Sequence, residues 1–175
     1  MIYFVRHGET DFNKFLISQG QTDTSLNKTG LKQSEDVAER LKNTHFDVVF
    51  CSPLTRARQT CEAIMKYHSC PVFYDDRLKE ISKGTLETYR ISQDTYNQFF
   101  ANPHKFGGED KNDIFKRASS FLEDLKKYKN KDGISMYEAS SLGLEQGSEY
   151  EDIIHRIKVD FDLEEELSSL DYAKK

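Results

Sequence analysis

The chain opens on a run that narrows its options at once: Ile2-Tyr3-Phe4-Val5 leads straight into Arg6-His7-Gly8. Four consecutive apolar residues, all β-branched or aromatic, suit a short strand buried on both faces, as in parallel sheets. A strand over residues 2–6 is therefore expected. A plain structural turn after it has no use for an arginine and a histidine. Both sit just past a carboxyl strand end, where open α/β sheets place their ligands.

The pattern recurs. Phe46–Val49, continued by Phe50-Cys51 and stopped at Ser52-Pro53, predicts a second strand. Pro71–Tyr74 predicts a weaker third. Helical spacing follows each. Leu31, Val37, Ala38 and Leu41 share one face, and Leu54, Ala57, Cys61, Ile64 and Met65 share another. Ile114, Phe115, Ala118, Phe121, Leu122 and Leu125 form a third amphipathic set, and Tyr150, Ile153, Ile154, Ile157 and Phe161 a fourth. Leu163, Leu167 and Leu170 could extend that last helix. Strands alternating with helices predict an α/β fold with a mainly parallel sheet, in one domain over residues 1–175. Residues 83–108 are polar, aromatic and glycine-containing, and read as an insertion or lid at the sheet end. Asp113–Arg117 echoes Asp152–Arg156, which reads as two helices with similar starts rather than a repeat.

Composition excludes several classes. A net charge of −5 over 175 residues gives no support to nucleic-acid or membrane binding. No apolar run approaches the roughly 20 residues that span a bilayer. The apolar start is too short for a signal peptide. Cys51, Cys61 and Cys70 are odd in number and lack CxxC spacing, which suits reduced thiols in a cytoplasmic protein. Neither a metal nor a cofactor is expected.

If the sheet is parallel, the turns after the three strands meet on one edge and gather Arg6, His7, Arg56 and Glu80. That set suits phosphoryl transfer. Guanidinium groups bind phosphate oxygens two at a time and stay charged. They also match the charge spread over the equatorial oxygens of the transition state. A neutral imidazole can attack phosphorus and carry the phosphoryl group covalently. A carboxylic acid such as Glu80 could protonate the leaving oxygen.

These residues also carry a resemblance. Phe4-Val5-Arg6-His7-Gly8-Glu9-Thr10, with Asn13, resembles the signature of the histidine phosphatase superfamily, phosphoglycerate mutase-like branch. Leu26–Gln33, Ser52–Thr60, Leu78-Lys79-Glu80-Ile81 and Gly107-Gly108-Glu109 resemble its later motifs, in order, over about the first 128 residues. The resemblance implies a three-layer αβα sandwich with a mostly parallel central sheet. It makes His7 the phosphorylated nucleophile, Arg6 and Arg56 the phosphoryl grip, and Glu80 the proton donor and acceptor. It places Asn13, Gln19 and the stretch to Ser25 near the substrate, with Glu109 also facing the pocket. The implied partner is a small phosphorylated substrate.

Residues 133–175 depart from the family pattern. The family carries a second histidine after a strongly apolar strand and before a glycine. Here Lys131–Gly143 contains no histidine and reads as a poor buried strand. His45, His68, His104 and His155 all lack that strand–His–Gly setting, and His155 reads as the solvated face of the last helix. Losing one preorganised donor to a transferring group costs about 10²–10³ in rate. Three readings follow: a phosphatase with impaired turnover, a phosphate-ester-binding pseudoenzyme, or a rearranged chain in which Gly147-Ser148-Glu149 repeats the Gly107-Gly108-Glu109 motif. Phosphoglycerate mutase-type transfer is the variant within the same chemistry.

Overall fold

A computed structural model describes residues 2–128 in full, together with the backbone of residues 134–137 and 154–157. Strand β1 (Ile2–Val5) is buried along its whole length, as its unbroken apolar run requires. A single turn, α1 (Asp11–Lys14), follows it. Helix α2 (Lys28–Leu41) leads to β2 (Val48–Cys51), helix α3 (Thr55–Met65) and β3 (Val72–Tyr74). The 83–108 segment folds into α4 (Gln93–Ala101) and a 3-10 turn at Pro103–Phe106, before α5 (Lys111–Leu125). Strands β4 (Ile134–Tyr137) and β5 (Ile154–Ile157) complete a five-stranded sheet of order β3-β2-β4-β1-β5. Every pairing is parallel except that of β5 with β1.

Alternation along the strands divides the core into two layers. Tyr3, Val5, Val49 and Cys51 pack against Val37, Ala38 and Leu41 of α2 and Ala57, Cys61 and Ile64 of α3. Ile2, Phe4, Val48 and Phe50 pack against Phe121 and Leu125 of α5. Helices thus cover both faces, and the fold is an αβα sandwich. The Phe50 and Phe121 rings meet edge-on at 5.3 Å. Two helical faces are narrower than their periodicity suggests: Leu31 and Phe115, expected inside, lie exposed at the ends of theirs.

Helix starts are fixed by specific caps. The Asn27 carboxamide oxygen accepts from the Gly30 N–H at 2.9 Å, and Asp110 with Asp113 closes a reciprocal capping box on α5. Helix α3 has no cap from its own N-cap residue, Leu54. Asp23 supplies it from 32 positions away, accepting from the Thr55 N–H at 2.7 Å and the Thr55 hydroxyl at 2.8 Å. The loop from Gln19 to Ser25 is therefore tied to the start of the helix that carries Arg56. Within the 83–108 segment Phe99 is the buried anchor, against Phe100, Phe106 and Gly108. Tyr89, Tyr96 and Phe100 are exposed.

Two expectations are corrected. Residues 134–137, expected to be a poor strand, form β4 at the centre of the sheet, hydrogen-bonded in parallel to both β2 and β1. Tertiary pairing on two sides overrides the weak local pattern. Residues 154–157, expected within a helix, form β5 antiparallel to β1, with His155 opposite Phe4 in register. The rest of that expected helix, the tail leucines and Gly147-Ser148-Glu149 lie outside the described residues. Among the described residues, no helix is long and apolar enough to cross a membrane.

Candidate active site

The parallel sheet brings the turns after β1 and β2 to one edge, as the sequence implied. At the first turn Arg6 is exposed, whereas His7 is only 7% exposed. His7 Nδ1 lies 2.7 Å from the Gly8 carbonyl oxygen. A carbonyl only accepts, so Nδ1 carries the proton and Nε2 presents its lone pair. Burial lowers the His7 pKa from 6.5 to about 3, helped by the positive charges of Arg56 and Arg6 and opposed by the Gly8 contact. The imidazole is thus neutral at physiological pH.

The turn is held by its backbone. The Gly8 N–H donates to the Thr60 hydroxyl oxygen at 3.1 Å, and that hydroxyl donates to the Arg56 carbonyl at 3.0 Å. The first turn of α2 packs directly on it. A Cβ at Gly8 would fall 2.3 Å from the Gly30 carbonyl oxygen, and one at Gly30 would fall 2.0 Å from that of Glu9. Glycine is required at both places by this contact of backbone on backbone. Gln33 accepts from the Glu9 N–H at 2.8 Å, and the Glu9 carboxylate accepts from Asn27 at 2.8 Å.

Arg56, fully buried in the first turn of α3, is aimed by two carbonyl oxygens. Its guanidinium donates to Gly20 and Thr22, both at 2.9 Å. Gln19 supports the same loop, its side-chain oxygen accepting from the Thr10 and Thr24 hydroxyls at 2.7 Å each. The Asn13 side-chain oxygen is taken up by the Thr10 backbone in the α1 capping box, which leaves its amide N–H groups as the part able to donate to an anion.

Glu80 and Glu109 reach the loop through Gln21. The Gln21 side-chain amide donates to the Glu80 carbonyl at 3.0 Å and to Glu109 Oε2 at 3.3 Å. The Glu80 carboxylate accepts from the Ile81 N–H at 2.9 Å. Glu109 is further engaged by Arg117 at 2.9 Å and the Ser82 N–H at 2.8 Å, so it is built into the wall of the site. Sequence reasoning missed Glu87, and it missed the contacts of Thr60 and of Gln21 and Asp23, the last two within the stretch expected near the substrate. Thr60 lies inside the quoted Ser52–Thr60 motif, but its link to Gly8 is purely tertiary. His68 follows the end of α3 opposite to Arg56, its ring 4.7 Å from Phe46, and His104 pairs with Asp110 at 3.3 Å at the start of α5.

Known proteins resemble this chain to different depths. A model of the histidine phosphatase superfamily (branch 1) matches residues 2–137. The chain is 41% identical over 91 residues to probable phosphoglycerate mutase GpmB of Proteus mirabilis. That match takes in 52% of this chain and 42% of the relative, so the chain spans less than half of the curated relatives it matches. The phosphoserine phosphatase of Entamoeba histolytica, solved with 3-phosphoglyceric acid, superposes with a TM-score of 0.67 at 28% identity, over 80% of this chain and 74% of that one. The alpha-ribazole phosphatase of Shigella flexneri gives 0.71 at 24% identity over 78% and 72%, a likeness of fold. The β1 turn with its histidine, the arginine at the start of α3 and the element order between them all fall inside the matched span, and the chain belongs to branch 1 of the histidine phosphatase superfamily.

Proposed function

We propose that the protein hydrolyses small phosphate monoesters through a phosphohistidine at His7. The observation that carries this reading is the neutral, buried imidazole, its Nδ1–H held on the Gly8 carbonyl beside the buried Arg56 guanidinium. The Nε2 lone pair attacks phosphorus, and the bond from phosphorus to the ester oxygen breaks. Glu80 gives the departing oxygen its proton. Its carboxylate then takes a proton from water, whose oxygen attacks phosphorus, breaks the N–P bond and releases inorganic phosphate. Arg56 from within and Arg6 from the exposed rim neutralise the equatorial oxygens. Asn13 donates from its amide, and Gln19 and Glu109 shape the pocket without touching the reacting atoms.

A second reading, transfer of a phosphoryl group within a phosphorylated sugar acid, draws support from the match to GpmB proteins. Both readings share the phosphohistidine. Hydrolysis of an aryl phosphate by the protein and by its His7→Ala variant tests them, with acid-labile ³²P labelling as the second readout. Turnover and label lost together in the variant are the expected result. Undiminished turnover in the variant would overturn both readings. Label without net release of phosphate would select transfer over hydrolysis.

A further inference from the structure

We propose that Glu87 is a positioning residue that sets the aim of Arg56. The inference rests on the reading that Arg56 grips the phosphoryl group, and adds to it the device that fixes the grip. Arg56 is oriented by the Gly20 and Thr22 carbonyls, so whatever holds residues 20–22 holds the guanidinium. Glu87 holds them from the far side of the chain. Its Oε1 accepts from the Gln21 N–H at 3.0 Å and the Lys83 N–H at 2.9 Å, and its Oε2 accepts from the Thr22 hydroxyl at 2.7 Å. One carboxylate thus clamps two consecutive residues between the carbonyls that carry Arg56.

Two backbone features support the assignment independently. Gly20 has φ +51, and a Cβ there would lie 2.2 Å from Glu87 Oε1, so the loop is shaped to receive the carboxylate. Thr88, immediately after Glu87, has φ +73. A β-branched residue in the left-handed region is strained and persists only where its surroundings impose it. Here the Thr88 N–H donates to the Ser18 carbonyl at 2.8 Å and the Tyr89 carbonyl accepts from the Ser18 N–H at 2.9 Å. That paired attachment turns the chain so that Glu87 faces the loop.

A double-mutant cycle tests the proposal, with kcat and KM for an aryl phosphate and inhibition by orthovanadate, well below the melting temperature of each variant. Glu87→Ala is expected to lower kcat/KM by about 10–100-fold, the usual cost of losing a group that orients a binding residue, and to weaken vanadate inhibition in proportion. Glu87→Gln keeps a side-chain oxygen for the two N–H groups and an amide that can donate to Thr22, and should recover most of the loss. In the Arg56→Ala background Glu87→Ala should cost nothing further, because it acts through the guanidinium. An equal loss in both backgrounds would assign Glu87 a structural role and overturn the proposal. Should Glu87→Ala fold poorly, Thr22→Val removes one clamp contact alone and should move kcat and vanadate inhibition the same way; no movement would also overturn it. Arg56→Ala with undiminished activity would instead overturn the reading of the site itself. Full loss in Arg56→Ala with none in Glu87→Ala would sink only the role of Glu87.

Discussion

Replacing His7 with glutamine should make the protein more acid-tolerant relative to the native chain. The folded state lowers the His7 pKa from 6.5 to about 3 through burial and the charges of Arg56 and Arg6. Between those values the unfolded chain binds a proton that the folded protein refuses. Stability therefore falls as pH falls through that window, by about 1.4 kcal/mol per pH unit. The penalty is close to nil at pH 7 and about 2 kcal/mol at pH 5. Glutamine removes the titrating group while keeping an amide that can donate to the Gly8 carbonyl. The carboxylates elsewhere, such as Asp75 held down by Arg77, contribute equally to both proteins and cancel. Urea unfolding of both proteins at pH 7 and pH 5, at constant ionic strength, gives the four stabilities needed. The stability difference between variant and native chain should move by about 2 kcal/mol toward the variant on acidification. Parallel losses in the two proteins would refute a buried, proton-refusing His7, and with it the argument for a ready nucleophile.

Gly30→Ala should destabilise the protein by about 2–3 kcal/mol, because the added methyl meets the Glu9 backbone at 2.0 Å, although alanine normally favours a helix; a raised melting temperature would contradict the close contact. Thr88→Gly should raise stability by about 1 kcal/mol by releasing the strain at φ +73, with kcat unchanged, as read from denaturant midpoints and aryl phosphate turnover. Arg77→Ala should cost about 1–2 kcal/mol without touching activity. Arg77 pairs with Asp75 at 2.6 Å and Asp124 at 2.8 Å and lies over the Phe121 ring, fastening α5 to the sheet. Denaturant midpoints with and without 0.5 M salt, roughly, would show the difference shrink on screening.

The parts of the site that lie at strand ends were legible because their signal is local. The run Ile2–Val5 announces a buried strand, and Arg6 and His7 follow within two residues. Helix α3 was legible from the spacing of Ala57, Cys61 and Ile64, which places Arg56 in its first turn just beyond β2. Glu87 was not legible. It stands in a stretch with no periodicity, and its importance comes from meeting Gln21 and Thr22, more than 60 positions earlier. The capping role of Asp23, within the stretch expected near the substrate, was hidden for the same reason, since it caps a helix to which it does not belong. Strands β4 and β5 were misread because their short segments lack a strand pattern of their own. Ile153, Ile154, Ile157 and Phe161 follow helical spacing, and only the free edge of β1 turns residues 154–157 into a strand.

The position of β1 has a consequence for synthesis. The strand that leads to His7 is synthesised well before either of its neighbours in the sheet: one is residues 134–137 and the other residues 154–157. Until those segments emerge, an all-apolar strand waits with both hydrogen-bonding edges open. Such edges template association with other chains. Pairings this distant in sequence also slow the search for the native fold. The strand that leads to His7 is thus made early and secured late, so a nascent chain stalled before residue 134 presents an apolar strand unshielded.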